Sequence, residues 1–377
     1  MTDIFRGETP EDINNKCLDV CHRYLDGVWR DITVDQMVVR RVGGGYTNLL
    51  FQCSLRDDIN VVSSEPKDVF IRFYGKKWVK DNNESNERLT DIIINLLTSE
   101  HNLGPKVYGM FSEGIVGEYI DGHHMSPEDQ LNPAIVKEFA QKLAKFHSLN
   151  VPIGRDYDWL KTTFNRWYDG AHLKTPHMDQ LLNEIETNNL LKYNLKEENE
   201  WLHKCMDAMK SPIVYSHNDI FTGNILVNNR INETNDDNNV VLIDFEYSRH
   251  FYRGLDLGFF VNEFGRDSNF FIREDLPLAD DQWIQTFLGH YLDESVKIRG
   301  KEFAERPENS MDVLLKETKF FTLVMEIYLI FPFYAINETP DCNDRREILR
   351  RANTYYGRYI KRRNEFEKLG ITPLPRY

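Results

Sequence analysis

Three side chains near the middle of the chain have the types and the order that a metal-assisted transfer from a triphosphate requires. Asp219 closes the run Ser216-His217-Asn218-Asp219, Asn224 follows five residues later, and Asp244 comes after the apolar run Val240-Val241-Leu242-Ile243. Such a transfer asks for little covalent chemistry from the protein: an attacking oxygen must be oriented, charge growing on the phosphates neutralised, and a hard cation held. Asp219 can orient a hydroxyl and accept its proton, a role worth roughly 10²- to 10⁴-fold in rate. The Asn224 amide oxygen and the Asp244 carboxylate are the hard oxygen ligands that magnesium prefers. Glu246 falls on the same face as Asp244 if the strand continues, where it would be a second metal ligand; the alternative is a surface or lobe-packing acid. His217 is expected to fix the loop rather than to react, and Asp256 to brace it.

A triphosphate also needs a partner for its own charge. Gly43-Gly44-Gly45-Tyr46-Thr47-Asn48 joins two β-rich runs, and successive glycines leave the backbone bare enough to approach a ligand, although such turns are common in hairpins that bind nothing. Arg72 stays charged at any ordinary pH and can clasp a phosphate in a fork; an arginine without that duty is the plainer alternative. Asp91, on a later helix, is expected to pair with it.

These residues need a scaffold. Pro10 to Asp31 carries Ile13, Cys17, Val20 and Tyr24 at helical spacing behind acids that suit a helix start. Val34 to Val42, Leu49 to Leu55, Asp68 to Gly75, Lys106 to Phe111 and Ile115 to Ile120 read as strands, and Leu89 to Glu100 as a helix stopped by Leu103-Gly104-Pro105. Residues 1–120 are thus expected to form a lobe of about five strands and one crossing helix, with Asp81 to Glu87 a polar, exposed connection. Asp121-Gly122-His123-His124 marks the join. Residues 121–377 are expected to form a mainly helical second lobe opening on Ala134 to Leu149, where Ile135, Phe139, Leu143 and Phe146 recur at helical spacing. The fold class is α+β. The Asn- and Asp-rich stretch from Asn228 to Asn239 reads as a solvated hairpin tip rather than a metal site.

Composition bounds the function. A chain of 377 residues, 41% hydrophobic and 28% charged, can bury a large core. A net charge of −14 counts against a nucleic-acid partner, whose affinity leans on clustered Lys and Arg, and suits a small cationic substrate, though acidity also serves solubility. The odd, scattered set Cys17, Cys21, Cys53, Cys205 and Cys342 favours a reducing compartment, and Cys17, Cys21 and His22 lack the second pair that a zinc site needs. The start Met1-Thr2-Asp3-Ile4 has no signal-peptide pattern. Phe320 to Ile336 is the most apolar run, but Glu326 and Pro332 within it argue for a buried helix over a membrane span. A cytoplasmic protein is expected.

The acid, amide, acid series stands behind a glycine turn, a strand with a basic residue and a helix with an acid, the order of parts in kinase-like enzymes. At these residues the chain resembles the choline/ethanolamine kinase family, a branch of the protein-kinase-like fold. The resemblance covers most of the chain: the glycine turn through Cys53, Ile71-Arg72-Phe73-Tyr74-Gly75, Leu103 to Gly109, Ser216 to Asn224, Ile243-Asp244-Phe245-Glu246-Tyr247-Ser248 and Tyr252 to Asp256. It implies two lobes, an N-terminal antiparallel sheet lobe and a helical C-terminal lobe, with ATP and Mg2+ as cofactors. ATP would lie beneath Gly43, Gly44, Gly45, Thr47 and Asn48, with Arg72 in place of the kinase lysine and Glu118, Tyr119 and Ile120 flanking adenine. Asp219, Asn224 and Asp244 would be the catalytic set, and Asn224, Asp244 and Glu246 the metal ligands. Asp219, Tyr247, Glu263 and Tyr328 would meet the substrate, a small cationic amino alcohol, choline or ethanolamine. A homodimer is expected by family analogy alone.

The departures concern the acceptor. Choline kinases of animals carry two tryptophans on a late helix, part of an aromatic cage around the trimethylammonium group, whereas no tryptophan follows Trp283 here. Tyr328, Phe331 and Tyr334 can form a weaker cage or simply be core. Phe259 stands where Asn is usual, Phe270 and Phe271 follow Glu263 in place of Tyr, and Ile220-Phe221-Thr222 replaces a more polar run that helps hold ATP. The expected reaction is phosphorylation of choline to phosphocholine for phosphatidylcholine synthesis. Ethanolamine is the nearest alternative. A phosphotransferase of the aminoglycoside type usually lacks the Asp-Phe-Glu-Tyr-Ser run, and intact Asp219, Asn224 and Asp244 argue against a catalytically weak kinase-like binding protein.

Overall fold

The computed structural model describes residues 8–43, 48–62, 65–75, 84–175, 177–229, 239–266, 277–336, 342 and 344–376, with the backbone alone at 84–88. Gly44, Gly45, Tyr46, Thr47, Phe270 and Phe271 lie outside the described residues, as do residues 81–83 and 230–238 of the two polar stretches. The chain divides into two units, residues 1–123 with 228–246, and residues 124–227 with 247–377. This differs from a single break after residue 120, because the segment that carries Asp244 packs with the first unit. There the Leu242 amide donates to the Leu103 carbonyl at 2.9 Å, and a Cβ on Gly104 would stand 3.1 Å from the Phe245 ring and 3.2 Å from the Leu242 oxygen.

The first unit is a five-stranded antiparallel sheet in the order β1-β2-β3-β5-β4, with β1 Met37–Val42, β2 Leu49–Leu55, β3 Asp68–Phe73, β4 Val107–Phe111 and β5 Gly114–Glu118. Alternate side chains of β2 (Phe51, Cys53, Leu55) are buried, the period that a one-sided sheet dictates, and they meet helix α1, Ile13–Tyr24. Helix α1 is shorter than the helical spacing predicts. Gly27 takes a left-handed φ of 64° and starts a 3-10 turn, Gly27–Arg30, that drives Trp29 into the core, where its indole donates to the Pro66 carbonyl at 2.7 Å. A second 3-10 turn, Val34–Gln36, delays β1 to Met37. Helix α2 spans Glu84–Glu100, longer at its start than expected because its polar first turn is helical too. Cys17, Cys21 and Cys53 are buried together in this core, where the neighbouring Cys17 and Cys21 thiols and then burial push the Cys53 thiol up.

Strands β6 (Gly122–His124) and β8 (Ile225–Asn228) carry the chain between the units, and β9 is Val240–Leu242. In the second unit, β7 (Ile213–Ser216) pairs antiparallel with β10 (Arg249–Tyr252). The helices are α3 Pro127–Leu131, α4 Pro133–His147, α5 Trp159–Lys174, α6 Met178–Glu184, α7 Asn188–Lys192, α8 Leu195–Met209, α9 Arg253–Asn262, α10 Asp281–Arg299, α11 Met311–Ala335 and α12 Arg345–Lys368. Helix α11 is largely apolar and, from Phe320 on, mostly buried, because α5, α9, α10 and α12 all pack on it. Among the described residues it alone is long and apolar enough to cross a membrane, yet 78% of its apolar window is buried, which makes it the core helix of this unit. Its closest crossing is with α9: a Cβ on Gly258 would stand 2.7 Å from the Phe321 backbone. Past Pro332, Arg345 collects the last carbonyls, donating to Phe333 at 3.0 Å and Tyr334 at 2.6 Å.

Candidate active site

In the second unit the loop after β7 is held from beneath by one carboxylate. Asp256, in the first turn of α9 and fully buried, accepts the His217 amide at 2.7 Å, the Asn218 amide at 2.8 Å and His147 Nε2 at 2.9 Å. Burial alone would raise this carboxyl, but the hydrogen bonds from His147 and from the His217 amide hold it below its ordinary value. A carboxylate only accepts, so His147 donates through Nε2 and takes the Tyr291 hydroxyl at Nδ1, 2.9 Å away; burial keeps the ring neutral by lowering its pKa. Asp256 therefore braces the loop as expected. Asn218 adopts φ 63°, and its side-chain amide donates to the carbonyls of Ser216, Tyr247 and Arg249 at 3.1–3.3 Å. The turn that presents Asp219 is thus fixed at both backbone and side-chain level.

Asp219 is half-buried, and Asn224, in the 3-10 turn Thr222–Asn224, reaches back to it. The Asn224 amide nitrogen donates to the Asp219 carbonyl at 2.9 Å and to its carboxylate at 3.0 Å. The amide oxygen, the atom that a hard metal would take, has no part in these two bonds. Phe221, in the run noted as less polar than that of choline kinases, lies over Gly223: a Cβ there would meet its ring at 2.3 Å.

In the first unit, Asp244 follows the end of β9 at Leu242 and takes a left-handed φ of 62°. This corrects the expectation that the strand runs on and sets Glu246 on the same face: the alternation rule stops where the strand does. Arg72, on β3, donates to Asp91 at 2.6 Å, and Asp91 also accepts from Tyr74 at 3.3 Å and Asn95 at 3.0 Å. Burial would lower the Arg72 pKa, but Asp91, Asp244, Tyr74 and Glu246 outweigh it and hold the guanidinium charged. Arg72 Nε is buried and, among the described residues, has no hydrogen-bond partner. Asn48 is tied to the backbone just past the same strand, its side chain accepting the Gly75 amide at 3.3 Å, while Gly43 follows the end of β1. Glu118 closes β5, its carboxylate accepting the Lys106 amide at 3.2 Å, and Tyr119 and Ile120 follow half-buried; burial raises the Tyr119 hydroxyl.

The expected substrate residues of the second unit lie on three elements. The Tyr247 carbonyl accepts from Asn218, Glu263 caps α9 and is buried, and Tyr328 lies on α11. The Tyr328 ring is edge-on to Phe259 at 6.0 Å and 6.0 Å from Phe164. Phe331 stacks on Phe164 at 4.3 Å and Tyr334 on Tyr168 at 5.5 Å, so these two pack against α5. Sequence reasoning missed His147, whose one signal was a polar residue at a core-facing helical position, on the apolar face of α4. Among the described residues no three His, Cys, Asp or Glu side chains form a metal-binding group. The Asn224 amide oxygen of the second unit and the carboxylates of Asp244 and Glu246 of the first are each donors of the kind that suits magnesium, which keeps several waters and takes one or two carboxylates.

Comparison with known proteins agrees with this reading. A choline/ethanolamine kinase from Rattus norvegicus is 31% identical over 317 residues, covering 82% of this chain and 77% of its own. A probable ethanolamine kinase A from Dictyostelium discoideum is 26% identical over 97% of both chains. A choline kinase crystal structure from Cryptosporidium parvum shares the fold, with a TM-score of 0.69 at 19% identity, covering 95% of this chain and 98% of that one. With the choline/ethanolamine kinase family model matching residues 39–359, the chain belongs to the choline/ethanolamine kinase family.

Proposed function

We propose that this protein transfers the γ-phosphoryl group of ATP to choline, giving phosphocholine for phospholipid synthesis. The observation that carries the proposal is the Asp219–Asn224 pair: a carboxylate on a loop locked by Asp256 and Asn218, steadied by an amide whose oxygen stays out of both bonds. Asp219 would orient the acceptor hydroxyl and take its proton as the oxygen attacks. Arg72, held charged and with Nε unused, would meet the phosphates, beneath the turn from Gly43 to Asn48, while Glu118, Tyr119 and Ile120 would flank adenine. Asn224, Asp244 and Glu246 would hold magnesium, which when bound neutralises charge on the phosphates. Glu263 would face the substrate cation, and Tyr247 would stand beside it. The aromatic contact between Phe259 and Tyr328 favours a quaternary ammonium; the buried Glu263 carboxylate would serve the primary ammonium of ethanolamine as well. All five cysteines are free, in keeping with a reducing compartment such as the cytoplasm.

A coupled ADP-release assay with choline and ethanolamine side by side tests the proposal. Choline should be the better acceptor by kcat/KM, and Asp219→Ala should abolish turnover while leaving nucleotide binding close to wild type. Equal or greater use of ethanolamine moves the assignment to that amine, and full activity in the Asp219→Ala protein overturns the role of this carboxylate.

A further inference from the structure

The turn that bears Glu263 is held from more sides than a surface turn needs. Gln130, fully buried on α3, donates through Nε2 to the Glu263 carbonyl at 3.1 Å and accepts the Gly265 amide at Oε1 at 2.6 Å. Its own carbonyl takes the Trp283 indole N–H at 3.1 Å, which fixes the strut in turn. From the opposite helix, Arg362 on α12 donates to the Asn262 side-chain oxygen at 2.7 Å and to Glu326 on α11 at 2.9 Å. Arg266 closes the turn on itself, Nε reaching the Asn262 carbonyl at 2.8 Å and its amide the Glu263 carbonyl at 3.0 Å, and Arg266 and Arg358 face Glu326 at 4.0 and 3.8 Å. Asn262, Glu263 and Glu326 are each at most 3% exposed.

Burying this many polar and charged groups is costly even when they are paired, and replacing such networks by apolar side chains is often neutral or stabilising. A carboxylate that discriminates a cation has to be held within about 0.5 Å, by neighbours that are themselves locked. We propose that Gln130 and the Arg362–Glu326 pair are positioning residues that aim the Glu263 carboxylate at the substrate cation, and so set selection for a charged amino alcohol. The inference rests on the reading of Glu263 given above. Gln130 fixes the backbone on one side of Glu263, and Arg362 fixes the side chain of the residue before it. Neither touches substrate.

The test compares the preferred amine with its uncharged isostere, in which carbon replaces the nitrogen, because the ratio of their kcat/KM values reads recognition of the positive charge, and its loss in Glu263→Gln gives the share that belongs to Glu263. Glu263→Gln should collapse that ratio. Gln130→Ala and Arg362→Met should lower it toward the Glu263→Gln value and raise KM for the amine about tenfold, with kcat and KM for ATP within about twofold of wild type. Arg362→Lys should recover part of the ratio, since it restores a donor but not the fork. If Arg362→Met fails to fold, Asn262→Ala removes the same contact with a smaller change. A wild-type ratio in the Gln130 and Arg362 or Asn262 variants beside a collapsed one in Glu263→Gln overturns the positioning role and leaves Glu263 in place. An unchanged ratio in Glu263→Gln overturns the Glu263 reading itself and the positioning role with it.

Discussion

Asp256→Asn is the substitution whose outcome the structure constrains most closely. The carboxylate takes three donors, His217 N–H and His147 Nε2–H on one oxygen and Asn218 N–H on the other. An amide of the same size keeps one acceptor. Its less costly orientation leaves that oxygen to His217 and His147 and turns the amide nitrogen onto the Asn218 N–H, donor against donor. One hydrogen bond to an ionised acceptor is lost, about 1.5–3 kcal/mol, and a buried N–H goes unmet, about 1–3 kcal/mol. Together they come to about 2.5–6 kcal/mol. The strain falls on the loop that presents Asp219, so kcat should fall about 10²-fold, the order that a displacement near 1 Å exacts. Urea unfolding followed by tryptophan fluorescence reads the stability, with Trp159 packed edge-on against Phe251 in the same unit, and ADP release reads kcat. A wild-type midpoint, or a kcat within about twofold of wild type, would refute the claim that this carboxylate holds the loop.

Two further perturbations test other parts of the structure. Burial, and then the charge of Lys161, push His203 down from 6.5 to about 4, so between those values the unfolded chain binds a proton that the folded one does not. Its contribution to stability is complete above pH 6.5 and is lost as pH falls toward 4, with a slope of at most about 1.4 kcal/mol per pH unit, less in proportion to the solvent that reaches the half-buried ring. His203→Gln should flatten that slope in melts taken between pH 4 and 6.5, and an unchanged slope counts against the assignment. Gly258→Ala places a methyl group 2.7 Å from the Phe321 backbone, where no side chain can yield, and should cost about 1–3 kcal/mol in a denaturant titration. A wild-type midpoint there would mean that α9 and α11 can part freely.

The catalytic loop was legible because its chemistry is local. Asp219 and Asn224 lie five residues apart, and a short turn brings such neighbours into contact whatever surrounds them. Asp256 as a brace was legible too, while its other partner, His147, was not: the pair is 109 residues apart, and periodicity records only that a position faces inward. Glu246 shows the opposite failure. The two-residue spacing was read as a strand face, but the backbone at Asp244 turns left-handed, a state that side-chain pattern does not encode for a non-glycine residue. Strand positions in the first unit were read well because a sheet buried on one face leaves alternation behind, as in Phe51, Cys53 and Leu55. The edges of its helices were read less well, since Gly27 and the first turn of α2 set them by local backbone geometry. The aromatic run of α11 could mean cage or core on sequence alone. Phe331 and Tyr334 have packing partners on α5, and that distinction depends on a helix some 160 residues earlier in the chain.

The first unit is assembled from two stretches of chain, and this bears on the order in which it can be made. Its five strands are complete by Glu118, but Asp244 and Glu246, which act on Arg72, and Leu242, which pairs with Leu103, are translated only after the chain has passed through 124–227. At roughly 5–20 residues per second the ribosome needs about 10–35 s to cover the distance from Arg72 to Asp244. During that interval the nascent sheet holds the Leu103 carbonyl without its Leu242 partner and Arg72 with Asp91 as its nearest counter-charge. Ribosome-bound chains stalled before residue 228 should therefore yield to protease near Leu103, and chains stalled far enough past residue 246 to clear the exit tunnel should resist it.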